Sequence, residues 1–332
     1  MTFEDTVGLQ LVVGIPGTQA TSEVIEHFRA IHAVSCIPFR RNFESPEQFC
    51  HLVRDLEQGI GHPLLVMVDH EGGNVVRYTS GVTRFPDALT QGRTQSPEAI
   101  RAQGEIEAKE LRALNTHVNL APCVDILTEG ADPIIGTRSY GPDPDRVAAL
   151  GAARITGLQS GGVAACAKHF PGIGAVPKDP HQHLPSVDVD WQAMRTRHLI
   201  PFRRAIEAGV ATVMSSHVCY PTLFPDQPTT PATFLAPVIR GLLREALGFE
   251  GVIFTDDLEM GALRDLGSLG EAAVRAVAAG HDMVLVCSDR GVQREVFDAL
   301  CEAYRKSRLL SSALEASVAR IESLRKNFLP QP

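Results

Sequence analysis

The chain has 332 residues, a net charge of −8, and 44% hydrophobic and 21% charged residues. These proportions are typical of a globular enzyme, and the negative charge, spread without long runs of one sign, argues against a nucleic-acid-binding surface. No stretch approaches the roughly 20 apolar residues of a membrane span. The acidic start MTFEDTVGLQL differs from a secretory signal. Seven cysteines without a CxxC pair predict free thiols and a cytoplasmic location.

Short apolar runs alternate along the chain with longer segments of helical periodicity. The predicted strands are residues 9–15, 33–39, 63–69, 116–122, 162–168, 211–217, 251–257 and 282–288. The predicted helices include residues 96–115, 143–160, 269–281 and 312–327, and the first two begin with Ser-Pro or Asp-Pro. Eight such units predict a (β/α)8 TIM-type barrel, with residues 1–332 as a single catalytic domain. A doubly wound sheet is the alternative, and it lacks the expected GxGxxG motif.

Polar side chains follow several of the predicted strands. Asp69, Lys168, His169, His217 and Asp256 all stand at the carboxyl end of an apolar run. In a barrel those ends converge on the face that carries the active site. We therefore expect these side chains to meet at one site.

Two adjacent aspartates end the seventh predicted strand. Asp256 can be a nucleophile, a metal ligand or a helix cap, and consecutive strand residues face opposite sides. The sequence therefore predicts different roles for Asp256 and Asp257. We assign the N-cap of the following helix to Asp257.

The loop segment KDPHQHLP carries a second group of ionisable residues. Pro180 favours an extended Asp179, so that the Asp179 carboxylate reaches the imidazole of His181. Such a contact orients the ring for general acid/base chemistry near neutral pH. The alternative is a metal site formed by Asp179, His181 and His183, although the nearby Lys168 disfavours a divalent cation.

Two arginines lie near glycines in long loops after strands. Arg77 ends the stretch DHEGGNVVR, and Arg138 lies within IIGTRSYG. Loops at this face of a barrel often hold binding residues. Both arginines are candidates for substrate binding, with a structural salt bridge as the alternative for each.

Six motifs together resemble the family 3 glycoside hydrolases, in particular the bacterial single-domain β-N-acetylhexosaminidases that act on cell-wall sugars. They are VDHEGGNVVR, NLAPCVDI, IIGTRSYGPDP, AKHFPGIGAVPKDPHQHLP, VMSSHV and GVIFTDDLEMGA. The resemblance extends over about residues 9–290. It implies a barrel and a retaining β-N-acetylglucosaminidase that releases terminal N-acetylglucosamine from peptidoglycan-derived muropeptides.

The resemblance also implies the roles of individual residues. It implies Asp256 as the nucleophile and His181 as the general acid/base, with Asp179 as the partner of His181. The implied sugar-binding residues are Asp69, Arg77, Arg138, Lys168 and His169. We add His217 to them because it also stands at the carboxyl end of a predicted strand. We expect a small N-acetylglucosamine-containing saccharide as the substrate, no metal or other cofactor, no nucleic-acid or membrane partner, and a monomer.

The chain departs from the family pattern at three positions. Ile173 replaces the usual histidine of PGHG, Pro180 replaces a serine, and His70 replaces a glutamine. These changes leave the implied catalytic residues in place but affect sugar specificity and the movement of the loop. The alternatives are a phosphorylase of the same family, a metal-dependent barrel hydrolase and a sugar-binding relative without catalysis.

Overall fold

Eight parallel strands close into a barrel in chain order, as the sequence predicts. The computed structural model describes residues 2–128, 135–176, 185–263 and 266–330. The strands are β1 Leu11–Gly14, β2 Ser35–Ile37, β3 Leu65–Val68, β4 Val118–Asn119, β5 Ala164–Phe170, β6 Thr212–Ser215, β7 Val252–Asp257 and β8 Met283–Val286. Each overlaps a predicted apolar run, and the (β/α)8 prediction is confirmed.

Helices surround the barrel. The α-helices are Phe3–Gly8, Ser22–Ala30, Pro46–Ile60, Ala88–Thr94, Pro97–Ala113, Pro144–Ser160, Trp191–Ala193, Leu199–Glu207, Leu269–Ala279, Arg290–Lys306 and Arg308–Phe328. Two π-helical segments lie at Met194–His198 and Pro237–Ala246, and short 3-10 turns at Arg40–Asn42, Gly136–Arg138, Ala232–Phe234 and Gly261–Leu263. The predicted start signals are confirmed, because the side chains of Ser96 and Asp143 accept N-terminal N–H groups of their helices.

Strand side chains are buried on both sides of the sheet. Those that point into the barrel, such as Val12, Met67, Cys166 and Phe254, form an inner core. Those that point outward pack against the helices. Burial on both faces explains why the strands have continuous apolar sequences instead of alternating ones.

Two strands carry a β-bulge near their carboxyl ends. In β5 the pairing with β6 shifts between Lys168 and Phe170. In β7 the pairing with β8 shifts between Phe254 and Asp257. A bulge inserts an extra residue and redirects the neighbouring side chains, and bulges are common beside active sites. Both bulges contain residues that the sequence assigns to the site.

All seven cysteines have free thiols. Six of them are buried, and Cys50 is half-buried. The thiols are spread over strands, strand ends and helices around the barrel. None of the helices in the described residues is long and apolar enough to cross a membrane.

Candidate active site

Five of the predicted site residues form one hydrogen-bonded network at the carboxyl ends of the strands. They are Asp69, Arg77, Arg138, Lys168 and His169. Asp256 and His217 stand at the ends of the neighbouring strands β7 and β6. The predicted Asp179, His181 and His183 lie outside the described residues.

Lys168 is the centre of the network. Its Nζ lies 2.7 Å from Oδ1 of Asp69 and 2.7 Å from Oε1 of Glu71. Arg77 approaches the other oxygen of Asp69 at 3.3 Å. The side chain of Lys168 is only 2% exposed, so its charge is compensated by these carboxylates and not by water.

Glu71 joins Lys168 to Arg138. The Nε and Nη2 atoms of Arg138 donate to the two carboxylate oxygens of Glu71 at 2.8 and 2.7 Å. This two-bond geometry fixes the plane of the guanidinium group. Sequence reasoning missed Glu71, although it follows Asp69 by two positions.

The charges of the network are strongly coupled. Burial opposes ionisation of Asp69 and Glu71, but the ammonium group of Lys168 holds the pKa of both carboxyls below the ordinary values. Burial likewise opposes the charge of Lys168, and the two carboxylates raise its pKa overall. All three groups are therefore charged at neutral pH. They offer hydrogen-bond donors and acceptors in fixed directions.

His169 is oriented by a buried carboxylate that sequence reasoning also missed. Oδ2 of Asp125 lies 2.8 Å from Nδ1 of His169 and accepts the main-chain N–H of the same residue at 3.0 Å. The Nη2 atom of Arg138 lies 3.2 Å from Nε2 of His169. Because arginine can only donate, Nε2 is the acceptor and the ring proton lies on Nδ1.

Cys123, Asp125 and His169 form the one group of three possible metal ligands among the described residues. These atoms already bond one another, since the Cys123 thiol donates to Asp125 at 3.3 Å. The guanidinium group of Arg138 contacts His169. Internal hydrogen bonding and the adjacent positive charge both disfavour a divalent cation here.

Asp256 lies in the bulge of β7 and is half-buried. Its Oδ1 accepts the main-chain N–H of Asp257 at 2.9 Å. Lys168 stands near the carboxyl end of β5, and only β6 lies between β5 and β7 in the closed parallel barrel. Asp256 and the lysine network therefore lie at the same end of the barrel.

Asp257 points elsewhere, in agreement with the different roles predicted for the two aspartates. Its Oδ1 accepts the N–H of Glu259 at 3.1 Å and so caps the turn after β7, whereas Ser268 caps the next α-helix, Leu269–Ala279, in place of the predicted Asp257. Burial raises the pKa of the Asp257 carboxyl to about 6. The carboxyl of Asp257 is thus partly protonated in the weakly acidic range.

His217 is buried, and both of its ring nitrogens contact protein groups. Nδ1 lies 2.7 Å from the hydroxyl of Thr233, and Nε2 lies 3.0 Å from the main-chain carbonyl of Asp257. Burial lowers the pKa of the ring, although the nearby Asp256 carboxylate opposes this effect. Sugar binding by His217 stays a prediction.

A buried arginine supports the loop after β3. Arg154 donates to the main-chain carbonyls of Glu71 and His70 at 2.6 and 3.0 Å. It also forms two bonds of 3.1 Å to the carboxylate of Glu107. His70 stacks on Tyr78, and burial lowers its pKa to about 4. The histidine at position 70 is therefore neutral and packed beside the network.

Comparison with known sequences supports the resemblance noted above. The profile described as "Glycosyl hydrolase family 3 N terminal domain" matches residues 4–324. The chain belongs to this family. A relative from Nitrosomonas eutropha named "Beta-hexosaminidase" is 37% identical over 298 residues, which cover 87% of this chain and 84% of the relative. The chain is thus a family 3 glycoside hydrolase of the β-hexosaminidase type.

Solved family 3 structures share the fold. A glycoside hydrolase family 3 β-N-acetylglucosaminidase from Paenibacillus is 38% identical, with a TM-score of 0.94 over 98% of this chain and 62% of its own. NagZ from Neisseria gonorrhoeae, solved with N-trifluoroacetyl-D-glucosamine, is 30% identical, with a TM-score of 0.79 over 94% of this chain and 98% of its own. This chain therefore spans less than two thirds of the Paenibacillus protein and nearly all of the gonococcal one.

Proposed function

We propose that the protein is a retaining exo-β-N-acetylglucosaminidase that hydrolyses terminal β-linked N-acetylglucosamine from muropeptides or related saccharides. The observation that carries the proposal is the shared location of Asp256 and the Lys168 network at the carboxyl ends of parallel strands of the barrel. A carboxylate beside fixed donors and acceptors suits attack on a sugar whose hydroxyls are held. The names of the relatives support the choice of sugar.

In the proposed first step, a carboxylate oxygen of Asp256 bonds to the anomeric carbon of the sugar. The bond from that carbon to the leaving oxygen breaks, and His181 in its protonated form gives its proton to this oxygen. In the second step, neutral His181 takes a proton from water, whose oxygen attacks the same carbon and releases Asp256. Asp179 is proposed to orient the ring of His181.

In this proposal the charged network binds the sugar through hydrogen bonds. Carboxylates such as Asp69 accept hydrogen bonds from hydroxyl groups, while Lys168, Arg138 and Arg77 donate. Charge-assisted bonds of this kind are stronger than neutral ones, and they raise kcat when they tighten as positive charge develops on the ring. Because the network is internally bonded, it is oriented before the sugar arrives.

The nucleophile is tested with Asp256→Ala on an aryl β-N-acetylglucosaminide. We expect kcat to fall by at least about 10⁴-fold, since removal of a nucleophile abolishes covalent catalysis. A slow fluorinated substrate should form a covalent adduct on the wild-type protein, and peptide mass spectrometry should locate it on Asp256. Wild-type turnover in the variant, or an adduct on another residue, would refute the assignment.

The acid/base is tested with His181→Ala, and His183→Ala from the same segment is the matched control. We expect His181→Ala to slow substrates with poor leaving groups far more than those with good ones, and His183→Ala to have little effect. Equal losses in both variants, combined with inhibition by EDTA, would support the metal-dependent alternative. A glycosyl phosphate formed when phosphate is added would support the phosphorylase instead.

A further inference from the structure

The carboxyl end of β7 is held by contacts to its two neighbouring strands. Between Phe254 and Asp257, β7 contains one residue more than the stretch of β8 that pairs with it. The hydroxyl of Thr255 accepts a hydrogen bond from the N–H of Leu285 at 3.1 Å. This bond replaces the main-chain acceptor that the bulge moves out of register. On the other side, Nε2 of His217 contacts the carbonyl of Asp257. Asp256 lies between these two attachment points.

Proton accounting fixes the direction of the His217 contact. A main-chain carbonyl can only accept, so Nε2 of His217 must carry a proton and donate it to Asp257. The hydroxyl of Thr233 lies 2.7 Å from Nδ1 of His217 and 2.8 Å from the carbonyl of Ser216. If the hydroxyl donates its single proton to Nδ1, Nδ1 is an acceptor. If the hydroxyl donates to the carbonyl of Ser216 instead, Nδ1 carries a proton and donates it to the hydroxyl oxygen. The bond to Asp257 is the same in both arrangements.

The surroundings leave His217 little freedom to turn. Its side chain is buried, and Thr233 is fully buried as well. The hydroxyl of Thr233 fixes one ring nitrogen while the Asp257 carbonyl fixes the other. A ring held at both nitrogens transmits its position to the main chain that it contacts.

We propose that His217, supported by Thr233, is a positioning residue that sets the direction of the Asp256 carboxylate through the main chain of Asp257. The inference rests on the proposed role of Asp256 as the nucleophile. It gives His217 a task other than the sugar contact that the sequence suggested. The sugar-binding network lies on β3, β5 and the loop after β4, so it should be undisturbed when the end of β7 shifts.

Two matched pairs of variants test the proposal. His217→Gln keeps an amide donor near the position of Nε2, whereas the shorter His217→Asn keeps one only near Nδ1. Thr233→Ser keeps the hydroxyl group, whereas Thr233→Val keeps the shape without it. For each variant we would measure kcat and KM with an aryl β-N-acetylglucosaminide, the affinity for N-acetylglucosamine by calorimetry, and unfolding by urea.

We expect kcat to fall about 100-fold in His217→Asn and about 10-fold in Thr233→Val, because a nucleophile displaced by about 1 Å reacts far more slowly. The glutamine and serine variants should each recover most of the loss. The affinity for N-acetylglucosamine should stay within about twofold of the wild type in all four. A residue with only a structural role would change the stability without this separation of kcat from affinity.

Two results would overturn the proposal. One is a loss of N-acetylglucosamine affinity in His217→Asn with kcat unchanged, because it would make His217 a sugar contact. The other is wild-type kcat in both Thr233→Val and His217→Asn. If His217→Asn does not fold, the Thr233 pair decides alone. Turnover in Asp256→Ala would refute the proposed function itself, whereas an inactive Asp256→Ala with fully active His217 variants would refute only the positioning role.

Discussion

Arg154 offers the sharpest test of how the buried charges support the site. Its side chain is 1% exposed, and its guanidinium group forms four hydrogen bonds, two to Glu107 and one each to the carbonyls of His70 and Glu71. In Arg154→Met the Glu107 carboxylate stays buried and keeps the hydrogen bond that the amide of Gln103 donates to it at 2.8 Å. Leaving one member of a buried pair uncompensated costs about 3–5 kcal/mol. We therefore expect at least about 4 kcal/mol of lost stability.

The double variant Arg154→Met/Glu107→Leu separates the two tasks of the arginine. Without the orphaned carboxylate, the loss should shrink to about 1–3 kcal/mol, which is the cost of the unsatisfied carbonyls. KM should rise about 10-fold in both variants, because the main chain of Glu71 loses its support beside Lys168 and Arg138. A tenfold change corresponds to about 1.4 kcal/mol of binding free energy.

Urea unfolding and steady-state kinetics on the wild type, the single variant and the double variant measure both effects. A loss below about 3 kcal/mol in Arg154→Met would contradict the buried-pair reasoning. A double variant as unstable as the single one would contradict it as well. A wild-type KM in the double variant would show that the carbonyl contacts do not position the loop.

Three further predictions follow from the site. Lys168→Met leaves the carboxylates of Asp69 and Glu71 without their shared cation, so we expect kcat/KM to fall more than about 100-fold; near-normal kinetics would contradict the network. The raised pKa of Asp257 means that its contribution to stability is present below pH 3.8 and is lost as the pH rises through about 6. Asp257→Asn should therefore gain up to about 3 kcal/mol over the wild type between pH 4 and 7.5, and equal differences in urea unfolding at both pH values would refute this. Thr255→Val should lower kcat about 10-fold whereas Thr255→Ser should not; similar kcat values would argue against support of the bulge.

The barrel and the face that carries the site could be predicted because both follow from local patterns. Continuous apolar runs of strand length separated by helical segments indicate parallel strands, and the polar residues that follow several of these runs mark the carboxyl ends of the strands. Asp69, Lys168 and Asp256 were found by that rule alone. Their convergence required only that the strands close in chain order.

The partners of these residues could not be predicted, because their roles depend on distant contacts. Asp125 and Arg154 are buried by tertiary packing, and nothing in their local sequence identifies His169 or the Glu71 main chain as what they bind. Glu71 had a usable signal, since residues two apart in an extended segment point the same way. The bulge that contains Asp256 depends on the pairing with β8, which no local pattern specifies.

Because the seven thiols are spread over the fold, their reaction with an alkylating reagent can measure local opening of the unmodified protein. Burial raises the pKa of Cys36 in β2, Cys166 in β5 and Cys287 after β8, so these thiols should resist alkylation while the fold is closed. Each lies in a different sector of the barrel. The rates at which they become labelled in mild denaturant would therefore show which strands separate first.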